Sequence, residues 1–199
     1  MNKRKLWMRL ALLVAILSSP YAVNAQAAPT ATQAMQLSAF GGLTGTWTGL
    51  LGGHNLGVTA GADLAFPKFL HVRPAIEVRG TYPIHGGTID SQKSILAGPR
   101  FEGVIGRFHP YGDILIGRGG IDYPRGYYYN GFIYYSSNTN VYSGGGGLNY
   151  DLTPRTAVKA DFQVQHWSTP VVPSGTIYSK PLTFGVVYTF DFNPHHHKH

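Results

Sequence analysis

From about residue 36 onward the chain alternates apolar side chains with small or polar ones. The clearest run is the last: Leu182, Phe184, Val186, Tyr188, Phe190 and Phe192 recur at every second position, with Thr183, Gly185, Val187, Thr189 and Asp191 between them. A period of two is that of a β-strand with one apolar face. The pattern predicts eight strands, at 36–47, 55–66, 71–82, 93–103, 109–118, 141–152, 155–166 and 181–192. Short connections at 67–70, 104–108 and 153–154 alternate with longer ones at 48–54, 83–92, 119–140 and 167–180. An even count of strands with short turns on one side and long loops on the other predicts an all-β chain, an eight-stranded antiparallel up-and-down transmembrane barrel. Pro74 and Pro99 each remove a ladder donor in mid-strand, so a bulge or local break is expected at both.

The alternation also sorts charge. One parity carries Leu43, Val58, Ile76, Ile95, Ile116, Phe162 and the closing apolar row; the other carries Asp63, Arg73, Glu77, Arg79, Arg100, Glu102, Asp113, Lys159, Asp161 and Asp191. Parity alone fits a soluble barrel with its apolar face inside or a membrane barrel with that face outside. A leader sequence, aromatic strand ends and the alternating connections select the second. In a membrane the reverse orientation is prohibitive, because each charge facing lipid near the midplane costs ~2–4 kcal/mol. An eight-stranded barrel leaves room inside for little but side chains. Mixed charges in that space pair, since an unpaired buried charge is costly, and Tyr111, Gln163 and Gln165 join them in a polar plug. The alternative is a narrow gated porin-like channel along a water path beside Gly61, Gly144–Gly147 and Gly185. Lys93, Arg118 and Lys180 break the parity at the outer ends of their strands, where long basic side chains snorkel or meet lipopolysaccharide phosphates. Trp47 and Tyr82 at that rim, with Phe66, Tyr150, Phe190 and Phe192 at the other, predict two aromatic girdles.

Composition narrows the setting. Lys3, Arg4, Lys5 and Arg9 precede the apolar run 10–17 and a small-residue cleavage site at Val23-Asn24-Ala25, the anatomy of an export signal. That run is far shorter than the roughly 20 residues of a spanning helix. The organisation read from the sequence is a signal peptide at 1–25, a lead-in at 26–34, a barrel at 35–192 and a His-rich tail at 193–199. Four of the sixteen basic residues, and no acidic one, lie in the leader, so the formal +7 falls to +3. That is too mild to argue for nucleic acid. No cysteine is present, so packing and hydrogen bonds hold the exported domain.

SILAGPRFE (94–102), RFHPYGDILIG (107–117), GGGLNYDLTPRTAVKADFQVQHW (145–167) and the aromatic closing strand resemble a family of small eight-stranded outer-membrane β-barrel proteins of Gram-negative bacteria. The resemblance implies a monomeric barrel in the outer membrane with both termini periplasmic. It is OmpA-like, without the peptidoglycan-binding domain of the two-domain proteins. The implied partners are outer-membrane lipid and lipopolysaccharide, and the barrel-assembly machinery through the C-terminal strand; no catalytic residues and no cofactor come with it. LTGTWTGLLGG (43–53) is similar to the opening of avidin-type biotin binders. Gly49 and Gly53 stand where that family has ligand-binding side chains, and the later wall tryptophans are missing.

Candidate chemistry is sparse. His166-Trp167-Ser168 is similar to the His-x-Ser of lipid A deacylases, with His166 facing lipid at the outer rim. A Ser–His pair requires an orienting carboxylate, and 169–180 has no Asp or Glu. The competing reading is a rim histidine beside a girdle tryptophan. The connection 119–140 holds Tyr127, Tyr128, Tyr129, Phe132, Tyr134 and Tyr135 around Asn130-Gly131. It reads either as an ordered lid or as a protruding hairpin with an Asn-Gly turn that contacts an extracellular protein or glycan. His195, His196, His197 and His199 sit in a tail without preformed metal geometry. The functional expectation is a plugged, non-enzymatic barrel with a structural or adhesion-type role, ahead of a channel and of a lipid A esterase using His166 and Ser168.

Overall fold

The computed structural model describes residues 35–87 and 89–190; the leader, the lead-in, Asp191, Phe192 and the His-rich tail lie outside the described residues. Eight strands follow one another in chain order: β1 (Gln36–Trp47), β2 (His54–Ala65), β3 (Val72–His85), β4 (Ser91–Gly103), β5 (Phe108–Tyr129), β6 (Phe132–Thr153), β7 (Thr156–Ser168) and β8 (Thr176–Thr189). Each pairs antiparallel with the next, and β1 pairs with β8 from Ser38↔Thr189 to Trp47↔Lys180, so the sheet is a closed barrel. Closure removes both sheet edges within the wall; above it, residues 123–129 and 132–140 of β5 and β6 pair only with each other.

Register keeps the two parities on opposite sides of the wall. Leu43, Ile76, Ile95, Ile114, Ile116, Phe184 and Val186 are exposed on the outside, whereas Asp63, Glu77, Arg79, Arg100, Asp113, Lys159 and Asp161 are buried inside. An apolar exterior around a charged interior is the inverse of a water-soluble protein.

The connections differ from the expected alternation. The four at the 130–131 end are 48–53, 86–90, 130–131 and 169–175, and the three opposite are 66–71, 104–107 and 154–155. The asymmetry lies in strand length instead. Both β5 and β6 run for 22 residues and rise beyond the wall as a hairpin turning at Asn130–Gly131, both at positive φ (48° and 85°). That is the backbone of a two-residue type I′ turn, which Asn-Gly suits. The register shift between Asp122 and Tyr127 breaks the alternation in this region and hides the strand from a period-two reading.

The prolines are also milder than expected. The β3–β4 ladder runs unbroken through Pro74↔Phe101 and Ile76↔Pro99. Pro74 accepts from Phe66 N–H at 2.9 Å, so its missing donor points past the last β2–β3 pair, and no bulge is needed. At Gly98 and Pro99 the β4–β5 pairing has a gap, with no change of register.

Candidate functional site: the lumen and the hairpin above it

The interior is stratified along the barrel axis. Near the end where β1 begins and β8 ends, Arg73 donates to Gln36 Oε1 (2.7 Å), and His109 lies between Glu102 (3.3 Å) and Asp151 (2.9 Å). These groups border a cavity of about 80 Å3.

Above it sits the ion-pair network. Arg79 donates to Asp161 (2.7 Å) and Asp113 (3.1 Å) and also pairs with Glu77. Arg100 reaches Asp63 (2.8 Å), Glu77 (3.2 Å) and Glu102 (2.8 Å), with its guanidinium 3.7 Å from the Tyr111 ring centroid. Tyr111 O–H and Gln163 Nε2 donate to Asp161 Oδ2 at 2.7 and 3.1 Å. Lys159 differs from the two arginines. Its Nζ makes no hydrogen bond; it lies 3.7 Å from Glu77 Oε2 and 3.8 Å from the Phe40 ring centroid. Of the ten charges read from parity, the nine among the described residues share one interior, Arg73 and Glu102 at its mouth and the rest deeper; Asp191 lies outside the described residues.

Next comes a chain of hydroxyls across four strands, Thr183–Thr44–Thr59–Thr81, at 2.8, 2.6 and 2.9 Å.

The layer beneath the hairpin is apolar. Leu50, Leu96, Leu115, Ile121, Tyr123, Val141, Trp167, Val171 and Ile177 form a buried cluster. Trp167 is 1% exposed, which corrects its assignment to an outer girdle: it shares parity with Asp161, Gln163 and Gln165 and points inward. Gly119 opposite leaves the room, since a Cβ there would come within 2.3 Å of the indole. This layer was missed from sequence. Its signal is apolar residues on both parities, as in Ile114-Leu115-Ile116.

The hairpin divides the aromatic residues of the former loop. Tyr127, Tyr129 and Tyr134 pack on the apolar cluster, whereas Tyr128 (72% exposed), Phe132, Ile133 and Tyr135 are exposed. Two further contacts brace the connections beside it. Thr48 Oγ1 and Gln92 Nε2 donate to the two oxygens of buried Asp90, at 2.8 and 3.1 Å, and burial holds that carboxyl above its usual range.

The basic rim residues do not form one group. Lys93 and Arg118 are on neighbouring strands, and Lys93 Nζ pairs with Asp122 (2.8 Å). Lys180 is paired with Trp47 at the β1–β8 seam. His166 does face outward, its ring 6.2 Å from that of Tyr142 and 5.4 Å from that of Tyr178. Among the described residues its side chain makes no hydrogen bond to Ser168 or to a carboxylate, so the triad geometry is not assembled.

No protein-family model and no curated protein sequence matches this chain. Among solved structures, it is similar to neisserial surface protein A at 15% identity, over 79% of this chain and 98% of that one, with a TM-score of 0.51. A major outer membrane protein of Thermus thermophilus aligns at 15% identity over 79% and 100% (TM-score 0.47). The attachment invasion locus protein of Yersinia pestis, solved with the heparin analogue sucrose octasulfate, aligns at 14% over 78% and 97% (TM-score 0.47). The likeness to the neisserial protein is one of fold, an eight-stranded antiparallel closed barrel.

Proposed function

We propose that this protein spans the bacterial outer membrane as a barrel with a closed lumen, both termini periplasmic, and acts at the cell surface through the bare face of the β5–β6 hairpin. The membrane reading rests on the wall itself: branched and aromatic side chains cover the outside, and between the two rims the charges point inside. Lipid is the solvent in which that arrangement is favourable. The closed lumen rests on an ion-pair layer, a hydroxyl layer and an apolar layer stacked in one narrow interior. The observation that carries the surface role is the division of the hairpin aromatics. Tyr127, Tyr129 and Tyr134 pack on the apolar cluster with Ile89 and Val172; Tyr128, Phe132, Ile133 and Tyr135 are not among the residues packed on it and stand bare above the wall. Rigid aromatic side chains on an ordered ribbon give large contact area at low entropic cost. They suit an extracellular protein or glycan.

The test displays the protein on cells of a poorly adherent Gram-negative host and measures binding to immobilised matrix proteins and glycans. Tyr128→Ser with Tyr135→Ser should weaken adhesion about tenfold or more, as loss of central aromatic anchors does. Heat-modifiable electrophoretic mobility should be unchanged. Wild-type adhesion by that double variant would overturn the proposal, and absence of the protein from the outer-membrane fraction would overturn the location.

A further inference from the structure

The outer wall between β2 and β5 carries a depression of about 560 Å3. One cross-strand row explains it: Ala60↔Gly80↔Ile95↔Arg118 runs over four strands, two small residues followed by an apolar one and a cation. Ala60 and Gly80 lower the floor, and Val58, Tyr82 and Ile95 wall it. Lys93, Arg118 and Asn138 close its hairpin-side end. Arg118 lies about ten residues along β5 from Phe108, roughly what a tilted strand uses to cross the hydrocarbon layer. The cations therefore stand at headgroup level with an apolar trough below them. Lys93 is neutralised by Asp122. The Arg118 guanidinium has no ion-pair or hydrogen-bond partner among the described residues, although it faces the lipid side, where an unpaired charge calls for an anion.

We infer that this depression is a binding site for one membrane acyl lipid with a phosphate headgroup, the phosphate forked by Arg118 beside Lys93 and an acyl chain lying over Ala60 and Gly80. The inference rests on the membrane reading above. It narrows the rim expected from sequence, since Lys180 lies at the β1–β8 seam and takes no part. A guanidinium matches a phosphate with two parallel donors, and the trough gives the chain a place that a flat wall does not.

The test uses the protein extracted from membranes into a neutral detergent, titrated with phosphatidic acid, with the matching diacylglycerol and with inorganic phosphate, and read by native mass spectrometry. One phosphatidic acid per barrel should survive transfer to the gas phase. Arg118→Gln should weaken its retention about tenfold, the value of a charge-assisted hydrogen bond, and Arg118→Lys should restore part of it. Gly80→Leu should have a similar effect by filling the trough. Its Cβ meets nothing closer than Ser94 O at 3.9 Å, so the barrel should fold; Ala60→Phe serves if it does not. Lys180→Gln should bind as wild type. Equal retention of diacylglycerol, displacement by inorganic phosphate alone, indifference to both Arg118→Gln and Gly80→Leu, or a dimer abolished by Gly80→Leu would each overturn the site. Failure to extract from the membrane fraction at all would instead count against the membrane reading.

Discussion

Arg79 and Lys159 are both cations buried in the lumen, and their surroundings predict unequal consequences of losing them. Arg79 contacts three carboxylates, Glu77, Asp113 and Asp161. Among the described residues, neither Asp113 nor Asp161 forms another ion pair. Removing the guanidinium leaves two buried carboxylates without a counter-ion, a change that typically costs about 3–5 kcal/mol. Lys159 makes no hydrogen bond, its stem rests on Phe40 and Tyr111, and its one close carboxylate, Glu77, keeps both arginines. Arg79→Met should therefore lower the stability of the refolded barrel by several kcal/mol, whereas Lys159→Met should change it by about 1 kcal/mol or less. Urea titration scored by the folded and unfolded bands on a gel reads both. Equal losses would mean that Lys159 is held by the field of the whole network rather than by any contact.

Between neighbouring elements, Asp90 ties the 86–90 connection to Thr48 at the start of the β1–β2 connection, with Gln92 bridging to Asp90 and to the Thr48 carbonyl. Among the described residues the carboxylate has two donors and no ion-pair partner, so desolvation raises its folded-state pKa above the unfolded value. The folded state thus binds the proton more tightly. The tether is strongest in acid and weakens as pH rises from the usual aspartate range through the raised folded value. Amide-exchange protection of 48–53 and 86–90, corrected for intrinsic rates, should fall across that window, and Asp90→Asn should flatten the profile. Protection that grows with pH would contradict the assignment. Such a contact is invisible in sequence, because Thr48 lies in one connection while Asp90 ends another and Gln92 opens β4, and Thr48 meets them only once the barrel forms. The barrel itself was legible: strict alternation over β1, β7 and β8 gives the wall, and charge parity gives its inside. What alternation cannot resolve is where a strand continues past an irregularity. The shift at Asp122–Tyr127 turned two long strands into an apparent loop, and the inward Leu96, Leu115 and Trp167 were masked by apolar neighbours of the other parity.

Across the whole molecule, these inward apolar residues change which layer would govern passage through the barrel. A lumen blocked only by ion pairs would leak when the pairs are broken, and neutralising Arg100 or Glu102 would open it. Here the hydroxyl chain and the apolar cluster lie between that network and the hairpin end. The apolar side chains offer an ion no ligands, and dehydrating an ion in apolar surroundings is prohibitive. Among the described residues Trp167 is the largest fully buried side chain, and Gly119 leaves room for it. Vesicles carrying Arg100→Gln with Glu102→Gln should therefore release a trapped small ion no faster than wild type. Trp167→Ala should raise release severalfold, alongside a stability loss of about 3–5 kcal/mol. If the charge variant leaks and the tryptophan variant does not, the network is the gate, and the barrel is a channel regulated from the half that holds the ion pairs. If both stay tight, the layers act redundantly, and only the variants combined should conduct.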